Sequence, residues 1–255
     1  MTTFSQTVEA WRPLVMQHGS DMPIDFLLAW IAHESGGRPC SIGACGDAAG
    51  TTVKCSYAGA QYVKEIGLFQ LYFSTPTSTS PLTGGATYPE LRAYCSGLGQ
   101  TQTRALTSAE QIRQINSGLN YVRYERDKTR NQLAVVGVDW GSSKDFWKMV
   151  KLQHGLPSIP KAYLPKFKEK YGRGPTSWTE FVSIVPYLTN PLYAKVLLNA
   201  QNTGEYALGT KLSSAGVGFG GLPGWAAAVL GVGLAATLWG GARWWAGREA
   251  RTLRT

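Results

Sequence analysis

The sequence has few acidic residues, histidines and cysteines. These shortages indicate which partners the protein favours and which metal sites it lacks. Sixteen Asp and Glu stand against 25 Lys and Arg, and the net charge of +9 favours an anionic partner. No RNA- or DNA-binding motif accompanies this charge, so we expect no nucleic acid partner. The three histidines form no pair near the four cysteines, and no C-x-x-C occurs. This excludes zinc ribbons and fingers, and we expect no metal and no cofactor.

The cysteines and the basic residues are both unevenly spread. The cysteines all lie within the first hundred residues, at Cys40, Cys45, Cys55 and Cys95. Their even number favours two disulfides, and hence an oxidising compartment or a virion exterior. Four reduced, buried thiols are the alternative. One run of basic residues predicts the solvated face of a helix: Lys161, Lys166, Lys168, Lys170 and Arg173.

The two ends of the chain differ. The first ten residues lack the basic and apolar regions of a secretory signal. Residues 222–242 carry no charge and are long enough to cross a bilayer as one helix, with tryptophans near both ends. A glycine-rich buried hairpin in a larger assembly is the alternative. Arginines in the tail, residues 243–255, place the tail in the cytoplasm and the preceding domain outside.

A single-pass protein without a signal needs a special route into the membrane. We therefore expect a virion or cell-envelope location, reached through phage assembly or a dedicated export apparatus, with other virion or secretion-complex proteins as possible partners. Residues 206–221 predict a flexible linker before the span.

Residues 1–205 predict one mainly α (α+β) domain. Periodic apolar positions and capping residues predict five helices, which start at Asp21, Ser108, Ser143, Ser177 and Asn190. Gln111 completes a capping box with Ser108, and Glu180 completes one with Ser177. Gly36 and Gly37 end the first helix, and Gly118 marks a close approach of another element to the second. Residues 36–65 and 74–88 predict loops or short strands.

Glu34 is the candidate for chemistry. The apolar period of the first helix places it within about 20° of Leu27 on the helical wheel, at the edge of the buried face. His33 falls off that face, at the surface or rim. Burial disfavours the carboxylate anion, and a carboxyl with a raised pKa can donate a proton near neutral pH. The nearest second carboxylates in sequence, Asp47 and Glu65, stand in no distinctive motif.

Several short motifs occur in a fixed order. They are Glu34-Ser35-Gly36-Gly37, Gly67-Leu68-Phe69-Gln70-Leu71, Gly118-Leu119-Asn120-Tyr121-Val122, Gln153-His154-Gly155 and Tyr193-Ala194-Lys195-Val196. Together they resemble the E-S, G-L-M-Q, G-x-x-Y-L, N-A-G and Y-V-x-K-V elements of the lytic transglycosylases related to goose-type lysozyme. The resemblance covers roughly residues 20–205.

The resemblance implies a lysozyme-like fold and cleavage of peptidoglycan glycan strands, with a 1,6-anhydro product. Glu34 would protonate the leaving sugar and then accept a proton from the muramyl 6-hydroxyl. Ser35 and Tyr193 would orient Glu34, Gln70 and the backbone of Phe69 would contact the sugar, and Tyr121 with Gln153 would line the cleft.

The chain departs from the family pattern at three residues and in one loop, and one of the three is Thr189, where the family commonly has a glutamate before the Y-V-x-K-V element. Gln114 and Gln153 stand where the family has asparagine, which lengthens the reach of each amide. The stretch near residues 38–64 is longer than usual, and we interpret it as a disulfide-tied insertion at the cleft rim. The alternatives to a transglycosylase are a hydrolytic muramidase of the same fold and a structural virion or membrane protein with little activity.

Overall fold

The computed structural model describes residues 4–46, 52–53, 62–73, 88–96 and 101–208. This part of the chain is mainly helical with a few short strands, as the sequence predicts. It divides into two compact units, which we name the N-terminal unit, described over residues 4–127, and the C-terminal unit, described over residues 128–208. The longest helix begins in the first unit and ends in the second.

The N-terminal unit combines helices with five two-residue strands. Its helices are α1 (Gln6–Glu9), α2 (Arg12–His18), α3 (Ile24–Ser35), α4 (Tyr88–Arg92) and the first part of α5 (Ser108–Val135). Its strands are β1 (Cys45–Gly46), β2 (Thr52–Val53), β3 (Tyr62–Val63), β4 (Glu65–Ile66) and β5 (Leu71–Tyr72). The strands confirm the prediction of short strands between residues 36 and 65, whereas α1 and α2 were not predicted.

Helix α3 forms the centre of the N-terminal core. Six of its residues in a row are buried, from Phe26 to Ile31, so the helix is enclosed on more than one side. Its C-terminus is closed by Gly36, which adopts the left-handed conformation with φ 61° and donates its N–H to the carbonyl of Ala32. This confirms the predicted helix end, because glycine takes that conformation without the Cβ penalty of other residues.

The predicted N-cap of α3 is wrong. Pro23 precedes the first helical residue, and no side chain caps the helix. The carboxylate of Asp21 instead accepts hydrogen bonds from Arg123, at 2.7 and 3.0 Å, and from Arg126, at 2.9 Å. Two guanidinium groups offer stronger, charge-assisted bonds than a backbone N–H does, so the tertiary partners take the side chain.

The strands form two small antiparallel sheets. Strand β1 lies between β2 and β3, and β4 pairs with β5 as a hairpin. In the hairpin Glu65 faces Tyr72 and Ile66 faces Leu71, so residues 67–70 form the connecting loop. The apolar partners of this register are buried, which fixes the hairpin to the core.

Helix α5 begins at Ser108, as predicted, but its capping box lies one residue earlier than predicted. Thr107 Oγ1 accepts the N–H of Glu110 at 3.3 Å, and the Glu110 carboxylate accepts the N–H of Thr107 at 2.9 Å. Further along, a Cβ on Gly118 would overlap the ring of Phe69. The predicted close approach at Gly118 is thereby confirmed.

The cysteines within the described residues are all oxidised. Cys40 and Cys95 form a disulfide that joins positions 55 residues apart, and Cys45 is also disulfide-bonded. The alternative of reduced thiols is wrong for these three. Cys55 and much of the predicted insertion lie outside the described residues.

The C-terminal unit is a group of packed helices. They are the end of α5, α6 (Lys144–Gly155), α7 (Ser158–Tyr171), α8 (Trp178–Ser183) and α9 (Pro191–Gly204), followed by a 3₁₀ turn (Glu205–Leu208). The caps Ser143, Ser177 and Asn190 each accept a backbone N–H in the next turn, which confirms three predicted helix starts.

Helix α6 packs against α7, α8 and α9. At its contact with α9, a Cβ on Gly204 would lie 2.8 Å from the backbone nitrogen of Lys148, so only glycine fits. The ammonium of Lys148 lies 2.7 Å from Glu205 and 3.2 Å from Asp145. This ion pairing ties the 3₁₀ turn to α6, and the ordered fold continues beyond residue 205.

Helix α7 carries the predicted basic run on its exposed side. Lys161, Lys166, Lys168 and Lys170 are all exposed, while Leu164 and Phe167 are buried. The interpretation as a solvated helix face is confirmed for these four lysines, whereas Arg173 is exposed but lies beyond the end of α7.

Over residues 4–46, 52–53, 62–73, 88–96 and 101–208, no helix is both long and apolar enough to cross a membrane. Residues 206–208 of the predicted linker, 206–221, belong to the 3₁₀ turn Glu205–Leu208, so the linker prediction is wrong there. The rest of the linker, the predicted span and the tail lie outside the described residues.

Candidate active site

Glu34 lies in the last turn of α3 with a nearly buried side chain. Its side chain is 5% exposed, although its neighbour His33 is 37% exposed. The Nδ1 atom of His33 lies 3.4 Å from Oε1 of Glu34. The helix period therefore identified a carboxyl at the rim of the core, with most of its surface removed from water.

Ser35 fixes the end of the helix that carries Glu34. Its hydroxyl donates to the carbonyl of Ile31 at 3.0 Å and accepts the N–H of Gly37 at 3.1 Å. The residue is 1% exposed. These bonds engage the hydroxyl proton with the backbone, so the contribution of Ser35 to Glu34 in this structure is through the shape of the turn at residues 35–37.

The motif Gly67-Leu68-Phe69-Gln70 is the loop of the β4–β5 hairpin. Gly67 has φ 90° and Gln70 has φ 52°. Within the described residues Gln70 is the one non-glycine residue with positive φ, a conformation that is uncommon for such residues and costs free energy. Its side-chain contacts explain why the loop keeps it.

The amide of Gln70 is anchored by two backbone carbonyls. Its Nε2 donates to Ser41 at 2.8 Å and to Gly67 at 3.0 Å, and the residue is 4% exposed. Both amide hydrogens are therefore used, which fixes the direction of the Oε1 atom.

Residues 38–41 connect the Glu34 helix to this loop. The N–H of Arg38 bonds to the carbonyl of Ser35 at 3.3 Å, and the N–H of Ser41 bonds to the carbonyl of Arg38 at 3.1 Å. The carbonyl of Ser41 then accepts the N–H of Gly67 at 3.0 Å as well as the Gln70 amide. One backbone segment thus supports both the E-S and the G-L-F-Q motifs.

Gln114 holds the other side of the same loop. Its Oε1 accepts the N–H of Leu68 at 3.3 Å, and its Nε2 donates to the carbonyl of Pro39 and to the hydroxyl of Tyr94. The amide is buried, and burial also raises the pKa of Tyr94 to about 12, against the lowering effect of the Gln114 bond. Sequence reasoning assigned this amide only a place in the motif, whereas in the structure it holds the loop to Pro39 and Tyr94.

Glu65 brings a second carboxylate to the loop. A Cβ added to Gly43 would lie closer than 3.0 Å to both Oε2 of Glu65 and Oε1 of Gln70, so both oxygens pack against Gly43 in the space that a side chain would take. Gly43 is itself exposed. The sequence named Glu65 as a candidate second carboxylate, but only the hairpin shows that it stands beside Gln70. The other candidate, Asp47, lies outside the described residues.

Phe69 and Tyr121 differ in what they can offer a ligand. Phe69 as a whole residue is 1% exposed, and its ring packs over Gly118, so neither its ring nor its backbone is exposed in this structure. Tyr121 follows Gly118 by one helical turn on α5 and is half-buried.

Comparison with protein-family models, curated proteins and solved structures finds no match.

Gln153 and Tyr193 belong to the C-terminal unit. Gln153 is 1% exposed on α6, and neither its Oε1 nor its Nε2 has a hydrogen-bond partner. Tyr193 lies in the first turn of α9, where its ring meets the ring of Tyr163 edge to face at 6.3 Å. The N-terminal unit therefore brings together Glu34, the loop of Gln70 and the segment between them, and these two residues are placed in a separate unit.

No cluster of three or more histidine, cysteine, aspartate or glutamate side chains suited to a metal ion occurs among the described residues.

Proposed function

We propose that this chain cleaves the glycan strands of peptidoglycan, with Glu34 as the acid/base. The observation that carries the proposal is a nearly buried carboxyl at the end of α3, on a helix that residues 38–41 link by hydrogen bonds to the loop of Gln70. The order and type of the motifs, which resemble those of the lytic transglycosylases related to goose-type lysozyme, support the choice of substrate.

In the proposed reaction Glu34 first donates its proton to the glycosidic oxygen, and the bond from that oxygen to the muramyl C1 breaks. Glu34, now a carboxylate, then accepts the proton of the muramyl 6-hydroxyl, whose oxygen forms the new bond to C1. The product is a 1,6-anhydro sugar and no water is consumed. Burial suits both steps, because desolvation favours the protonated acid before the reaction and a strong base after it.

The test is the Glu34→Gln variant, which keeps the size of the side chain and removes its proton. Cleavage of purified peptidoglycan should fall by a factor of roughly 10² to 10⁴. The matched control is Glu169→Gln, an exposed glutamate on α7, which should cleave like the wild type. A folded Glu34→Gln protein that retains most of its activity would refute the assignment.

Hydrolysis of the glycan strand is the second candidate reaction, and the position of Glu65 supports it. A hydrolase commonly uses a second carboxylate as nucleophile or to activate water, and Glu65 stands beside the same loop. Mass spectrometry of the digest separates the two reactions. Anhydro-muramyl ends support the transglycosylase, and reducing ends alone support the hydrolase.

We also propose that residues 222–242 anchor the protein in a membrane as a single helix, with the two described units outside. The proposal rests on the uncharged sequence of this segment, its flanking tryptophans and the arginines of the tail. Anionic headgroups attract such a tail by about 1 kcal/mol per basic residue.

A further inference from the structure

The disulfide between Cys40 and Cys95 joins two chain segments, residues 38–41 and the stretch that follows α4. The Cα atoms of the two cysteines lie 5.6 Å apart, although 55 residues separate them in the sequence. Cys40 is buried, whereas Cys95 is only partly buried, so a thiol reaches the bond from the side of Cys95. One covalent bond thus sets the spacing of the two segments.

The same two segments hold the amide of Gln114. Its Nε2 donates to the carbonyl of Pro39 in the first segment and to the hydroxyl of Tyr94 in the second. Its Oε1 accepts the N–H of Leu68, in the loop of the β4–β5 hairpin, at 3.3 Å. The spacing of the segments therefore sets the position of the amide, and the amide in turn holds the loop.

The first segment also contacts both halves of the candidate site directly. The carbonyl of Ser41, next to Cys40, accepts the N–H of Gly67 in the loop at 3.0 Å. At the other end of the segment, the N–H of Arg38 bonds at 3.3 Å to the carbonyl of Ser35, the last residue of the helix that carries the candidate acid/base. The disulfide therefore restrains the backbone that connects the helix end to the loop.

We propose that the Cys40–Cys95 disulfide is a redox control of cleavage, which positions the hairpin loop in the oxidised protein and releases it in the reduced protein. The inference rests on the proposed function, because it concerns the geometry of the same site. The exchange partner is a dithiol, which gives two electrons and two protons: the S–S bond breaks, two cysteine thiols form, and the dithiol becomes a disulfide. The protein is then active in an oxidising compartment and poorly active in a reducing one.

The first measurement is cleavage of purified peptidoglycan by the full chain in its oxidised and reduced forms. Reduction with dithiothreitol should lower kcat/KM roughly tenfold to hundredfold, because a displacement of about 1 Å in a site can cost about 10²-fold. Removal of the reductant in the presence of oxidised glutathione should restore the activity.

Two variants assign this response to one bond. The Cys40→Ser/Cys95→Ser variant should have the low activity in both buffers. The matched control, Cys45→Ser/Cys55→Ser, removes the other two cysteines and should keep the response to dithiothreitol.

The second measurement reports on the loop without any cleavage. The N–H groups of Gly67 and Leu68 are both hydrogen-bonded to the restrained parts, so their hydrogen–deuterium exchange should accelerate on the order of tenfold on reduction. Peptides from α9, in the C-terminal unit, are the control and should exchange at the same rate in both forms. Gln114→Leu should accelerate the exchange of Leu68 in the oxidised protein, and reduction of this variant should add less than it adds in the wild type.

Three results would overturn the redox control. The first is an unchanged kcat/KM in a protein whose Cys40 and Cys95 are both alkylated as thiols after the assay. The second is equal acceleration of exchange in the loop and in α9, or a reduced protein that circular dichroism shows to be unfolded, since the bond would then serve global stability alone. The third is a redox response that persists in Cys40→Ser/Cys95→Ser.

These results are distinguishable from failure of the proposed function. If the oxidised wild type cleaves peptidoglycan and reduction changes neither cleavage nor loop exchange, only the redox control fails. If the oxidised wild type cleaves nothing, the proposed cleavage fails, and a loop exchange that still accelerates on reduction shows that the bond positions the loop.

Discussion

Replacing Gly118 by alanine should destabilise the protein, although alanine is the better helix former. In an exposed helix interior the change stabilises by about 1 kcal/mol. Here the new Cβ would overlap the ring of Phe69, which is fully buried and cannot move outward. Forcing an extra carbon into a packed core typically costs about 1 to 3 kcal/mol, and the overlap puts this site at the upper end. We expect a net loss of about 1 to 2 kcal/mol.

The assay is urea denaturation followed by tryptophan fluorescence. Asn131→Ala, an exposed position on the same helix, is the control and should raise stability by about 0.5 kcal/mol, the gain from helix propensity alone. A double-mutant cycle with Phe69→Ala isolates the contact. The single Phe69→Ala change should cost about 3 to 5 kcal/mol, and the double variant should be more stable than the sum of the two losses by about 1 kcal/mol or more.

The reasoning fails if Gly118→Ala is as stable as, or more stable than, the wild type. It also fails if the two changes are additive, because additivity would mean that the Cβ and the ring do not share the same space. Either result would show that the hairpin loop moves away from α5 at little cost, and that its position is not fixed by the glycine.

Three other outcomes are expected. Hydrogen bonds from Arg123 and Arg126 lower the pKa of Asp21 to about 2, so the stability that Asp21 contributes is present above about pH 4 and is lost as the pH falls towards 2. Because the side chain is 44% exposed, we expect this contribution to be about 1 kcal/mol or less. It is measured as the difference in unfolding free energy between the wild type and Asp21→Asn across that pH range. Non-reducing mass analysis should show a protein four hydrogens lighter than its reduced form, and alkylation of all four cysteines without reductant would contradict this. Deletion of residues 209–255 should release the protein from membranes and preserve cleavage of purified peptidoglycan, and loss of cleavage would place the tail in the catalytic part.

The helix starts that the sequence predicted correctly depend on near neighbours. Ser143, Ser177 and Asn190 each accept a backbone N–H two or three residues ahead, so the partner is fixed by the local chain. Asp21 has the same chemistry, but Arg123 lies about a hundred residues away and outcompetes the local N–H. A pattern read along the chain contains no information on such a partner.

The candidate site, like the helix starts, was predicted only where near neighbours in the chain decide the structure. Periodicity placed Glu34 at the edge of the buried face, and the missing side chain of Gly118 indicated a close approach, because both follow from the geometry of one helix. The convergence of Glu65 and Gln70 on Gly43 depends on the hairpin register and on a separate backbone segment. The bracing role of Gln114 likewise depends on three contacts that are distant in sequence.

The bond between Cys40 and Cys95 also bears on how this protein would survive proteolysis. The residues that it encloses include the whole β4–β5 hairpin with Gln70. A protease that cut once anywhere within that enclosed segment would produce two polypeptides held in one covalent molecule. Such a nicked protein would migrate as intact chain until a reductant was added, and the hairpin would stay linked to the rest of the molecule on both sides of the cut.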